Sequence, residues 1–113
     1  MKLLVFVLNQ PEKLEEILAG FVELDITGAT VLDSVGMGQF LASESALFAG
    51  FRSVIRGTNE SNKTITTVIQ DDAIIDQVIP LIEEVCGPLD EPGTGILFTL
   101  PIDQIFGMRS DSE

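Results

Sequence analysis

The chain has 113 residues, 45% of them hydrophobic, which suffices for one core but not for two domains. Its 18 acids against 6 bases leave a net charge of −12, a field that repels phosphate backbones and argues against a nucleic-acid partner. With no His and a single cysteine, Cys86, the composition excludes Ser-His and Cys-His hydrolases, an intramolecular disulfide and a soft-ligand metal centre.

Residues Leu3 to Leu8 form a continuous apolar run that stops at Asn9-Gln10-Pro11 with no small-residue cleavage site after it. It reads as a buried strand rather than a signal peptide, and a cytoplasmic protein is expected. Pro11 suits a first helical turn, and Glu12, Glu15 and Glu16 favour a helix N-terminus. Leu14, Ile17, Leu18, Phe21 and Leu24 recur at three- and four-residue spacing, which predicts a helix over 11–24. After a turn at 25–28, residues 29–35 form the second predicted strand, which ends on two glycines one residue apart, Gly36 and Gly38.

No period holds for long between Gly38 and Asn62. Helix is expected around 43–49 or extended chain around 51–56, and an excursion of this length in a small domain is commonly functional. It is also where half of all the bases lie, since Arg52, Arg56 and Lys63 fall within twelve residues. Strand alternation resumes over 63–70. Asp71-Asp72 then caps a helix whose stripe runs through Ile74, Ile75, Val78, Ile79, Ile82 and Val85, with a kink expected at Pro80 and a stop at Gly87-Pro88. A loop over 88–95 leads into a strand over 96–100. A short helical turn around 103–107 and a polar tail close the chain.

The order is β-α-β, long loop, β-α-β. Two right-handed split units predict an α+β, ferredoxin-like βαββαβ sandwich, with a four-stranded antiparallel sheet and both helices on one face. The runs LLVFVL and GILFTL, taken as inner strands, are apolar on both sides. A bare face of that kind demands a partner, so a homo-oligomer is expected.

In this order of elements the glycine pairs become recognisable. Ile26-Thr27-Gly28-Ala29-Thr30-Val31, followed by Val35-Gly36-Met37-Gly38, resembles the second strand of the PII nitrogen-regulatory family as it enters the T-loop. Asp71-Asp72 and then Gly93-Thr94-Gly95-Ile96-Leu97-Phe98 are similar to the later part of that family, including its B-loop. Residues Ile105 to Arg109 fall where the family carries basic residues. The likeness covers nearly the whole chain. On it, the single domain 1–113 divides into a T-loop-like segment 39–62, a B-loop-like segment 88–95 and a C-terminal segment 101–113.

The resemblance implies a homotrimer whose open sheet faces pack together, with an effector in the clefts between subunits and a mobile loop that docks onto a transporter or enzyme. The effector classes left open are an adenine nucleotide, a cyclic dinucleotide and a small anion. Carried over position by position, Thr30, Gly36, Met37 and Gly38 form one wall of the cleft, and Gly93, Thr94, Gly95 and Arg109 come from the others. The sequence departs from the family at Gln39-Phe40, at Ile96 and at Gly107, each standing where a cationic phosphate contact is expected. Arg52 and Arg56 are the candidates to replace them, and ATP is expected to bind poorly. The chain has no Tyr, which excludes tyrosine nucleotidylation. A signalling protein that is not an enzyme, with no metal and no cofactor, is the expectation. The alternative is a small ferredoxin-like enzyme that uses Asp33 or Asp103 as acid or base.

Overall fold

A computed structural model describes residues 1–44, 61–91 and 93–108. In chain order the elements are β1 (Lys2–Leu8), α1 (Leu14–Glu23), β2 (Ala29–Ser34), α2 (Met37–Glu44), β3 (Asn62–Ile69), α3 (Ile75–Cys86) and β4 (Gly95–Pro101). Single 3-10 turns at Pro11–Lys13 and Asp72–Ile74 lead into α1 and α3. The second is held by Asp71, whose carboxylate accepts the Ala73 amide at 3.0 Å.

The sheet is antiparallel throughout, in the order β2-β3-β1-β4, as a ferredoxin-like split arrangement requires. Strand period sorts the side chains onto two faces. Leu4, Phe6 and Leu8 of β1 join Ile65 and Ile69 of β3 under the helices, where Ile17, Phe21, Val78 and Ile82 complete the core. The helices approach closely at Gly20: a Cβ there would lie 2.4 Å from a Leu81 methyl.

The other face carries no element of the described chain. Its cross-strand rows read Leu32-Thr64-Val7-Ile96 and Thr30-Thr66-Val5-Phe98, and Leu32, Ile96, Phe98 and Leu100 are exposed. The run GILFTL is not an inner strand. β4 lies at the sheet edge beside β1, and the second inner strand is the Thr-rich β3. Composition does not separate the two, because β4 is apolar for the sake of its faces, not of its place in the order.

Two further expectations change. The excursion after β2 begins as helix at Met37, earlier than 43–49, and residues 45–60 lie outside the described ones. No helical turn forms at 103–107. There the chain leaves β4 extended, donates the Ile102 amide to the Met1 carbonyl at 3.2 Å and reaches Gly107 at φ 84°. So short a helix has no intrinsic stability to set against those contacts. Helix α3 runs through Pro80 without a break from Ile75 to Cys86. Pro80 is exposed, so water can serve the Asp76 carbonyl that loses its intrahelical donor.

Candidate functional site

The two glycine pairs lie at the same end of the sheet but at opposite edges. Gly36 and Gly38 follow β2, whereas Gly93 and Gly95 flank the start of β4. Three strand spacings of about 4.8 Å separate those edges, roughly 14 Å. The pairs also do different work. Neither Gly36 nor Gly38 is among the described residues with positive φ. The Gly36 carbonyl accepts the Phe40 amide at 2.9 Å and opens α2, leaving Met37 largely exposed on its first turn. By contrast, Gly93 and Gly95 have φ of 89° and 143°. A Cβ on Gly95 would stand 2.3 Å from the Val7 carbonyl oxygen, while one on Gly93 would meet nothing within 4 Å. Gly95 is therefore fixed by strand packing, and Gly93 is the open position of the pair.

Between these two glycines Thr94 is buried, and its hydroxyl donates to the Pro88 carbonyl at 2.8 Å. Thr30 lies exposed on the open face of β2. The cationic candidates Arg52, Arg56 and Arg109 lie outside the described residues. Every lysine is described, and each is paired: Lys2 with Asp72 at 3.4 Å, Lys13 with Glu16 at 3.9 Å, and Lys63 with Asp33 across the β2–β3 pair.

A cavity of about 540 Å³ opens at the opposite end of the sheet. Asp25, Thr27, Gly28, Thr67, Gln70 and Met108 are among its lining residues. The Thr67 hydroxyl donates to the Gly28 carbonyl at 3.3 Å, and the Gln70 amide nitrogen lies 3.4 Å from the Met108 sulfur. Asp25 holds φ of 63°, unusual for a residue with a Cβ. Neither Asp33 nor Asp103 lines this cavity, and both are exposed. Burial pushes the Cys86 thiol above its ordinary value of 9.0, so the half-buried side chain is no ready thiolate. Among the described residues no group of three or more His, Cys, Asp or Glu is arranged to hold a metal ion, and no helix is long and apolar enough to cross a membrane.

The family of this fold is decided by the sequence as a whole. Residues 1–112 match the family model described as Nitrogen regulatory protein P-II. The chain belongs to the PII family. No curated protein matches it. PII proteins are regulatory rather than catalytic.

Two sets of residues escaped the sequence reading. The cavity lining joins a turn after α1 to a turn after β3, and no periodicity links those turns. A row of polar side chains, Ser34, Asn62 and Asn9, runs beside the glycines. Its signal is the strand register, which pairs Ser34 with Asn62 and is not visible in either strand alone.

Proposed function

We propose that the chain is a PII-type signalling subunit. It acts as a homotrimer, binds a small effector in clefts between copies, and signals through the segment 39–62 to a partner such as a membrane transporter or an enzyme. The effector is an adenine nucleotide or a related anion. The observation that carries this reading is the separation of the candidate ligand residues within one chain. The glycine pairs stand about 14 Å apart across the sheet. The C-terminal segment, followed as far as Met108, ends beside Gln70 at the other end of β3. Seven residue steps of about 3.3 Å, roughly 23 Å, lie between the two ends of that strand. One small molecule cannot touch all three places in a single subunit, but a cleft between two copies can bring them together. The exposed Leu32, Ile96, Phe98 and Leu100 of the open face supply the apolar surface for such packing.

The charge pattern narrows the effector. All three lysines are engaged with carboxylates, Ile96 is exposed at the start of β4, and the protein carries a net charge of −12. A triphosphate is the anion hardest to neutralise in such a field. Sedimentation equilibrium and a thermal-shift panel of AMP, ADP, ATP, a cyclic dinucleotide and bicarbonate test the reading together. The expected result is a trimer at micromolar concentration whose Tm rises by several degrees with at least one of these at about 100 Kd, and, at equal concentrations, less with ATP than with AMP. A monomer, or a Tm that no member of the panel moves, overturns it.

A further inference from the structure

The open face of the sheet is apolar or threonine-bearing in row after row, yet its last row is wholly polar. Continuing the register past Leu8, which pairs with Lys63 on one side and Gly95 on the other, this row is Ser34-Asn62-Asn9, and it reaches Thr94 through the backbone, the Thr94 hydroxyl turning to Pro88 beside the end of α3. It lies at the end of the sheet where both glycine pairs sit. Ser34 stands two residues before Gly36, and Thr94 lies between Gly93 and Gly95.

The hydrogen bonds along this row run in one direction. Thr64 and Ser34 hydroxyl oxygens are 2.7 Å apart, and either can donate. The Ser34 hydroxyl meets the side-chain carbonyl of Asn62. Ser34 has one proton, so donation to Asn62 leaves its oxygen to accept from Thr64. The Asn62 amide nitrogen donates to the side-chain carbonyl of Asn9 at 3.3 Å. The Asn9 backbone amide donates to the Thr94 carbonyl at 3.4 Å, and the Thr94 hydroxyl donates to the Pro88 carbonyl at 2.8 Å. From Thr64 through Ser34 and Asn62 to Asn9 each side-chain donor is thus polarised by the bond before it, the arrangement in which such chains strengthen cooperatively, and the Asn9 backbone carries the link on to Thr94. Asn62 and Thr94 are both buried, 6% and 4% exposed, so a broken link there leaves a polar group without water.

We propose that Asn62 is a positioning residue that fastens the base of the β2–α2 segment to the loop before β4. A displacement at one glycine pair is thereby felt at the other, although the two lie too far apart to touch. Asn62 uses both ends of its side chain, the carbonyl toward Ser34 and the amide toward Asn9. A Leu or Val at 62 would extend the apolar face by one more row and uncouple the two edges. The coupling is a property of the fold and does not depend on what, if anything, binds at the glycines.

Amide hydrogen exchange in Asn62→Ala, Asn9→Ala and the double variant tests this. Two reporters are used: the Phe40 amide, bonded to Gly36 on one edge, and the amides of 88–95 on the other. Asn9 stands beyond Asn62 from β2 in the register, and Asn9→Ala is expected to speed exchange at Phe40 by about fivefold, the weight of one net hydrogen bond. Asn62→Ala is expected to speed both reporters, and the double variant to add little to either single one, as for links of one chain. Val78→Ala, a core truncation on the helical side, calibrates global loosening. Asn62→Asp keeps the acceptor for Ser34 but loses the donor to Asn9, and is expected to loosen 88–95 more than Phe40. Effects confined to the neighbours of each substituted residue, additive effects in the double variant, or a uniform pattern like that of Val78→Ala would each overturn the proposal.

Discussion

The two faces of this sheet are built from the same strands and much the same residue types, yet their fates differ. Phe6 on one side of the β1–β4 pair is fully buried, whereas Phe98 on the other is 46% exposed. Helices α1 and α3 make the difference, since they close only one side. A strand's composition therefore reports that its faces are to be covered, not what covers them. On the helical side the cover is part of the chain. On the open side the apolar rows stop abruptly at a hydrogen-bonded polar row.

The largest expected effect lies on the closed side. Phe6→Ala removes a wholly buried ring from the middle of the core, where Ile17, Phe21 and Ile65 cannot all collapse into the space. It should cost about 3–5 kcal/mol, a loss visible as a fall in denaturant midpoint at unchanged m-value. A loss below about 1 kcal/mol would mean that the helical layer is loosely packed and that the two faces differ less than their burial suggests.

The next effect is at the junction of the faces. Gly95→Ala forces a Cβ toward the Val7 carbonyl and also holds Ala at φ of 143°, so backbone must move at the β1–β4 pair. About 1–3 kcal/mol is expected from strain of this kind. Gly93→Ala is the control, because it meets open space and suffers only the positive φ. Equal losses at both would make conformation, rather than close approach, the reason for glycine at 95.

How much of this was legible in the sequence follows the same division. α1, β3 and α3 announced themselves because each has one face in the core and a clear period to match, and β1 did so by its unbroken apolar run. The fold class came from their order. The helix at Met37–Glu44 did not announce itself: small residues such as Gly38, Ala42 and Ser43 leave it a weak apolar stripe. Nor did the edge position of β4, whose pattern suits an inner strand equally well. Of the candidate site, the glycine pairs were legible as backbone signals. Their division of labour was not, since only packing shows that Gly95 lies against Val7 while Gly93 faces open space. The polar row was hidden for a different reason. Ser34, Asn62 and Asn9 are far apart in sequence and meet only when the register is known.

Open-face substitutions should act on assembly more than on folding. Phe98→Ser removes an exposed ring from the edge strand, so the isolated fold should lose less than about 1 kcal/mol. The proposed trimer should weaken markedly, which sedimentation velocity across a dilution series would detect. A stable trimer in Phe98→Ser would place the contact surface elsewhere, and a collapse of the fold would show that the ring is needed within one chain.

The smallest effect is expected where the helical cover runs out. Asp33 and Lys63 occupy positions on the helical face, yet they form an ion pair at the margin of the sheet. Asp33 is 82% exposed, so water screens the pair and its worth lies in the usual range of about 0.2–1 kcal/mol. Asp33→Asn breaks the pair and also lowers the net charge from −12 to −11, so two effects of opposite sign compete. The pair acts at contact distance, whereas the relief of repulsion is spread over the remaining acids and reaches them weakly through solvent. Local loss should therefore win at low salt, lowering Tm by a few degrees at most. In molar salt, where the screening length falls to about 3 Å, the difference should vanish. A variant more stable than the parent at low salt would invert that ranking: self-repulsion, not local pairing, would then govern this margin of the sheet.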